Sequence, residues 1–367
     1  MSYQQNLFDN LTQLVRTNEA FYTVDHEING VKYRVFTYRL ASYTDFLLPD
    51  ALECRGHMFR IEPRQQVTLV SLPFEKFFNL YENPMTMDLD VSQVEFIHDK
   101  RDGSLISTYE HEGEVRLKSK TSLSSDQALD SMRLLREDFT LHELTHHMVM
   151  NGWSVSYEYT SPENRIVLPY QTHELRVLGA RHTLTGHYAD YPSLYEWFGD
   201  YMTEDHTHMV DDPVAFVADI PNMKGIEGFV VGLKSGQRFK VKTSEYLSLH
   251  RAKDSVNSNK RLFEVCLNEA SDDLRSLFKD DQFTLDKITE MENRVGHVYN
   301  HMVQLVEDFH KDNGHLDRKS YAIKGQEELD RIAFGLAMCK YVGREPDYRA
   351  RIMSNFKLYV EDNDADV

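Results

Sequence analysis

Nine apolar residues, Leu285, Ile288, Met291, Val295, Val298, Met302, Leu305, Val306 and Phe309, step by threes and fours for about seven helical turns. A pleated strand cannot gather that spacing on one face, so the stretch predicts one long amphipathic helix, stopped at Asn313-Gly314. Leu329, Ile332, Leu336 and Cys339 start another helix, and the tail EDNDADV reads as frayed. Before Thr243 the texture is different. Leu7, Leu11, Leu14 and Val15 mark a short opening helix ending near Thr17-Asn18. From Tyr22 to about Thr121 the chain is rich in Val, Ile, Tyr, Phe and Thr, broken at Asn29-Gly30 and Glu112-Gly113. A helical segment covers about Ser124 to Met150, and strands resume at Trp153–Thr160 and at Ile226–Lys242, the latter a hairpin folded on Ser235-Gly236. The fold class is therefore α+β to about residue 245, followed by an all-helical domain.

Charge limits the partners. The chain's 367 residues carry 59 acids against 41 bases, a net charge of −18. That excludes a uniformly basic nucleic-acid coat and disfavours an anionic membrane surface, so any phosphate must be met locally. No apolar run approaches the ~20 residues of a membrane span. The opening MSYQQNLFDN lacks the basic start and apolar stretch of a signal peptide, so a soluble cytoplasmic protein is expected. Cys54, Cys266 and Cys339 are odd in number and far apart, which fits reduced core residues.

Common nucleotide signatures are missing: no Gly precedes a Lys and no two Gly are separated by one residue, so Walker A and GxGxxG are both excluded. His142-Glu143-Leu144-Thr145-His146 spells HExxH on a helical segment, but Asn151-Gly152 and a strand follow where a third zinc ligand is needed. Lys100-Arg101-Asp102-Gly103-Ser104 fits KxDG, the pattern of enzymes that carry a nucleotide on lysine. Two basic combs accompany it. Strand alternation gives Arg116, Lys118 and Lys120 one face opposite Val115 and Leu117, and gives Arg238, Lys240 and Lys242 one face opposite Phe239 and Val241. Like charges so spaced call for an anion between them. Glu158, on the polar face of its strand, and Glu227, at the start of the last hairpin, are placed to hold Mg²⁺ against a polyphosphate.

With KRDGS, SYEY, IEGFV and FKVK in this order, the chain resembles the covalent nucleotidyltransferases: DNA ligases, RNA ligases and mRNA capping enzymes. TYRLASYTDFLLPDALECRG, EKFFNLYENPMTM, KRDGSLISTY, RLKSKTS, ENRIVLPY, KVKTSEYLSLH and EASDDL are similar to the ATP-dependent bacteriophage RNA ligases that reseal tRNA cut in its anticodon loop. The resemblance implies an ATP-grasp-like nucleotidyltransferase domain of antiparallel sheets with helices over residues 1–245. Residues 246–367 would be the helical domain that selects RNA, and the enzyme a monomer with ATP and nicked tRNA as substrates. It makes Lys100 the nucleophile that takes AMP, shaped by Asp102 and Gly103, with Lys240 and Lys242 on the α-phosphate. Arg55 and Lys76 would grip the triphosphate tail, and Tyr38, Phe78, Lys120 and Gly228 would line the nucleotide pocket. Glu158 would contact the ribose or a metal, Glu227 would hold the catalytic Mg²⁺, or Mn²⁺, and Asp272 matches a second metal position. Asp99 stands before the nucleophile, where its charge raises the amine's basicity, and Arg55, Lys76, Lys100, Lys118, Lys120, Lys240 and Lys242 are expected to converge on one cleft. Two other readings are a non-catalytic RNA-binding module of the same fold and a zinc peptidase using His142, Glu143 and His146.

Overall fold

A computed structural model describes residues 2–361 except 63–65, 165, 272, 273, 276, 277, 279 and 280. The chain divides into two compact units, Met1–Leu247 and Ser248–Val367. In the first, α1 (Tyr3–Thr17) is capped by Ser2, whose hydroxyl accepts from the Gln5 N–H at 3.3 Å. Its periodic leucines, Leu7, Leu11 and Leu14, are at most 4% exposed, each worth about 1.5–3 kcal/mol of burial. They meet an antiparallel sheet in sequential order, β1 (Phe21–Ile28), β2 (Val31–Tyr38), β3 (His57–Ile61) and β4 (Val67–Ser71). Ile28 pairs with Val31, so Asn29-Gly30 is a two-residue turn, and both residues have positive φ (50° and 82°).

Two further four-stranded sheets follow. One contains β5 (Phe78–Asn79), β6 (Val94–Lys100), β11 (Gly228–Leu233) and β12 (Arg238–Lys242), in the order β5-β12-β11-β6, antiparallel except for the β5–β12 pair. The other contains β7 (Ser104–His111), β8 (Glu114–Lys118), β9 (Trp153–Thr160) and β10 (Glu174–His182), in the order β10-β9-β7-β8, all antiparallel. Residues 101–103 are thus the link between these two sheets. Both sides of β9 are covered: Val155, Tyr157 and Tyr159 are at most 1% exposed, and Ser154 and Ser156 at most 2%. Ser154 and Ser156 of the polar side are closed off from water, with Ser154 Oγ accepting from the Leu72 N–H at 2.8 Å, while Glu158 on that side is half-buried.

Where one helix is expected over 124–150 there are two, α2 (Asp126–Glu137) and α3 (Phe139–Met150). Asp138 divides them with an extended backbone (ψ 94°): its N–H closes the first helix on Leu134, and its carboxylate accepts from the Leu141 N–H to open the second. Short helices α4 (Tyr191–Phe198) and α5 (Pro213–Asp219) follow β10, and α6 (Ser244–Asn257) follows β12.

The second unit has no strand among its described residues. It is built from α7 (Asn259–Leu267), α8 (Gln282–Asn313), α9 (Arg318–Glu328), α10 (Arg331–Tyr341) and α11 (Tyr348–Met353). The long periodic stretch is α8, one helix of 32 residues whose Ile288 and Val306 are fully buried. Gly314 closes it with right-handed backbone (φ −61°), and a Cβ there would lie 2.7 Å from the His310 carbonyl oxygen. Leu329 closes α9, whereas α10 starts after Asp330, whose carboxylate accepts from Ile332 and Ala333. All three cysteines are free; Cys54 and Cys266 are buried, but Cys339 is only half-buried and so lies at the edge of the core. No described helix is long and apolar enough to cross a membrane.

Candidate active site

Antiparallel pairing sets Gly228 of β11 opposite both Lys100 of β6 and Lys242 of β12. A Cβ on Gly228 would lie 2.0 Å from the Val241 carbonyl oxygen, so only glycine lets these strands close here. The adjacent Glu227 is 2% exposed. Its Oε1 accepts from Lys100 Nζ at 2.7 Å and from Lys242 Nζ at 2.9 Å, while its Oε2 is buried without a hydrogen-bond partner among the described residues. Lys242 also sits 4.8 Å over the Tyr246 ring.

The link after Lys100 is tied down at each residue. Arg101 pairs with Glu174 at 2.9 Å. Asp102, 1% exposed, accepts from the Val167 and Leu168 N–H groups at 2.7 Å each and from the Tyr246 hydroxyl at 2.6 Å, while its own N–H donates to the Tyr170 hydroxyl. Its carboxylate is spent on holding the loop. The Gly103 N–H donates to Glu158 Oε1 at 3.0 Å, and a Cβ at Gly103 would meet the Tyr159 carbonyl oxygen at 2.3 Å.

Tyr38, Arg55, Lys76, Lys100, Gly103, Glu158 and Lys240 line one cleft of about 1630 Å³. Burial pushes the Glu158 carboxyl up to about 7, opposed by Lys100 and Arg55 and reinforced by Glu227. Burial, then Lys76, Lys100 and Lys242, pushes the Lys240 ammonium down to about 7. Lys76 Nζ stands 5.1 Å from the Phe78 ring centre and 5.7 Å from that of Tyr38, and Arg55 donates to the Phe74 carbonyl. Lys120 lies 3.9 Å over the Tyr38 ring and donates to its carbonyl, with its pKa lowered by burial.

Lys118 does not join this cluster. It is fully buried, its Nζ donates to the carbonyls of Gly56, Ser119 and Lys120 at 2.7, 3.2 and 3.2 Å, and burial pushes it down to about 7. Strand alternation assigned it a face but not the three carbonyls that face supplies. Asp99 is turned to His206, at 2.8 Å, and the ion pair of Lys100 is with Glu227 instead. Asp272 lies outside the described residues. His142 and His146 do stack one turn apart on α3, with ring centres 6.4 Å apart, but no third ligand joins them among the described residues. The metal-type grouping found there is Asp99, Glu204 and His206, whose donor atoms lie within 4.8 Å of one another. Sequence reasoning missed Glu204, His206 and Tyr246; for Tyr246 the available signal was its place four residues after Lys242.

Residues 53–247 match the family model described as RNA ligase, just over half of the chain, and residues 253–363 match that of the T4 RNA ligase 1 C-terminal domain. The chain belongs to the RNA ligase family. With it comes membership of the ATP-dependent covalent nucleotidyltransferases. A provisionally named RNA ligase of Thermovibrio ammonificans is 26% identical over 310 residues, 81% of this chain and 79% of the relative. RNA ligase 1 of Bacteriophage TS2126 is 29% identical over 230 residues, 60% of this chain and 56%, a little over half, of the phage protein. The RNA ligase model covers Lys100, Glu227 and Lys242 and the cleft residues other than Tyr38, and the second model spans most of the helical unit.

Proposed function

We propose that this RNA ligase adenylylates itself on Lys100, passes AMP to the 5′-phosphate of a broken RNA, and joins that end to a 3′-hydroxyl. The observation that carries the reading is the Lys100–Glu227–Lys242 contact at the ends of three adjacent strands, beside the cleft that Lys240 and Glu158 line.

In the first step Lys100 Nζ attacks the α-phosphorus of ATP, the bond to the bridging oxygen breaks and pyrophosphate leaves. The proton that Nζ must shed lies on its hydrogen bond to Glu227 Oε1. Lys240 and Lys242 neutralise charge on the α-phosphate oxygens, and Arg55 and Lys76 hold the triphosphate tail. Tyr38, backed by Lys120 and Phe78, walls the nucleotide. In the second step an oxygen of the RNA 5′-phosphate attacks the same phosphorus, the P–N bond breaks and the amine regains a proton. In the third, the 3′-hydroxyl oxygen attacks the RNA 5′-phosphorus, loses its proton, and AMP leaves.

Glu158 and the partnerless Oε2 of Glu227 fit a divalent cation, because both are carboxylate oxygens near Lys100 where phosphates would sit. Bound there, Mg²⁺ or Mn²⁺ would supply charge neutralisation on the phosphoryl oxygens. The helical unit, residues 246–367 in this scheme, selects the substrate, and nicked tRNA cut in the anticodon loop is the substrate that the sequence resemblance implies.

Labelled ATP and Mg²⁺ followed by a denaturing gel test the first step. The expected result is AMP on the wild-type chain and none on K100A; label persisting on K100A would sink the mechanism. Single-turnover sealing of a nicked anticodon stem-loop beside a linear oligonucleotide tests the substrate, with equal rates counting against tRNA repair.

A further inference from the structure

The row Lys100–Gly228–Lys242 has a counterpart on the same three strands. Gly232 of β11 is opposite both Phe96 of β6 and Arg238 of β12. The rows are four residues apart, an even number, so they share one face of the sheet and lie ~13 Å from each other. Between them stand His98, Val230 and Lys240, and Phe96, His98, Val230, Arg238 and Lys240 all line the cleft. Each row has a glycine at its centre. A Cβ on Gly232 would lie 2.0 Å from the Phe96 ring, so the bare backbone is what lets that ring settle over β11.

The charge at this second row has no contact partner among the described residues, and Glu75 and Glu95 act on it only across space. Of the arginines lining the cleft, Arg101 and Arg176 pair with Glu174, and Arg55 donates to the Phe74 carbonyl. The Arg238 guanidinium, with five N–H donors, has no hydrogen-bond or ion-pair partner among the described residues. Tyr188 makes the contrast direct, because it lies between two guanidiniums. Arg181, 4.5 Å from its ring centre, is neutralised by Glu53 through contacts of 2.7 and 2.8 Å; Arg238, at 3.7 Å, has rings around it and no acid in contact. Phe74 and Phe96 lie 5.2 and 5.5 Å from it, and Phe96 stacks on His98 at 4.3 Å. A fixed cation beside half-buried rings that line a cleft is what a single-stranded nucleotide requires, since the phosphate needs charge and the base needs a flat surface. The cleft also exceeds the ~300–1,000 Å³ of ordinary small-molecule pockets, leaving room beyond ATP.

We propose that Arg238 and the Phe96–His98 stack seat the 5′-terminal nucleotide of the RNA strand that accepts AMP, the guanidinium on its backbone phosphate and the base against the rings. The inference rests on the ligase reading above: with the α-phosphate at Lys240 and Lys242, the strand whose 5′-phosphate attacks it extends along the floor toward Arg238. Acids that follow β10 in the chain, among them Asp190, Asp200 and Asp205, also line the cleft, as does Glu95 of β6, so the row from Lys240 to Arg238 is the favoured path for a polyanion.

Arg238→Met keeps the stem over Tyr188 and removes the charge. Self-adenylylation with labelled ATP should stay within twofold of wild type, while the concentration of 5′-phosphorylated oligoribonucleotide giving half-maximal AMP transfer rises at least tenfold. Arg238→Lys should recover most of that loss. Fluorescence anisotropy with a labelled 5′-phosphorylated hexaribonucleotide on the pre-adenylylated protein should show the same order. A raised ATP requirement with an unchanged RNA requirement would assign Arg238 to the triphosphate tail and overturn the proposal, as would no change in either. A wild-type chain that takes no AMP in the same gel overturns the ligase reading, and this inference with it.

Discussion

Two strands carry the same three-cation comb, and the fold uses them in opposite ways. On β8 and just beyond it, the middle lysine, Lys118, is enclosed by three backbone carbonyls and serves the protein's interior. On β12 the middle lysine, Lys240, lines the cleft among Lys76, Lys100 and Lys242 with no carbonyl cage. Burial pushes both down to about 7. A lowered lysine pKa therefore does not mark a ligand site by itself; what the ammonium points at decides. Carbonyls already present make Lys118 structural, whereas Lys240 lines an open cleft beside two lysines that share the one carboxylate of Glu227, which is what supports its proposed role on the α-phosphate.

The sharpest way to break this contrast is to remove each lysine in turn. Lys240→Ala should slow self-adenylylation by ~10²–10³, the usual cost of one donor at a developing phosphoryl charge, with the urea midpoint little changed. Lys118→Met should do the reverse: three buried carbonyls lose a donor, costing about 1–3 kcal/mol in urea unfolding, while the ATP concentration for half-maximal labelling stays the same. Equal effects of the two on labelling would erase the distinction.

A subtler difference appears in stability against pH. Lys118 has a folded pKa near 7 against an ordinary value of 10.5, so between those values the unfolded chain holds the extra proton and stability rises with pH. Lys240 adds a rise of the same sign, whereas Glu158, raised from 4.5 to about 7, makes stability fall as pH climbs from about 4.5 to 7. Melting curves from pH 7 to 10 should rise less steeply for Lys118→Met than for wild type. The smallest effect belongs to Arg116, whose ion pair with the exposed Glu114 is long, at 3.5 Å. Arg116→Gln should shift unfolding by no more than ~0.5 kcal/mol and leave labelling unaltered.

These combs also show where sequence was legible. Alternation correctly divided β8 and β12 into faces, and turn chemistry placed the hairpins at Asn29-Gly30, Glu112-Gly113 and Ser235-Gly236, because those signals lie within a few residues. The cage of Lys118 depends on Gly56, 62 positions away, and the Asp99 pairing depends on His206, 107 positions away. Local pattern contains neither. The break at Asp138 was hidden for a different reason: a helix-period run continues through it, and one aspartate closes one helix while opening the next. The even glycine spacing on β11 was readable, but its meaning required the register that sets Gly228 and Gly232 between β6 and β12.

That register also governs when reactivity can arise. Synthesis releases Lys100 well before Gly228 and Lys242, so the amine first exists on a chain without its neighbouring strand. Pairing of β6 with β11 closes a loop of more than a hundred residues, and such long-range contacts form late. The lysine thus gains its carboxylate and its companion cation only when the last hairpin docks. On the proposed reading, capacity to take a nucleotide therefore coincides with completion of the fold around it, and a stalled or truncated chain presents Lys100 without that carboxylate or cation.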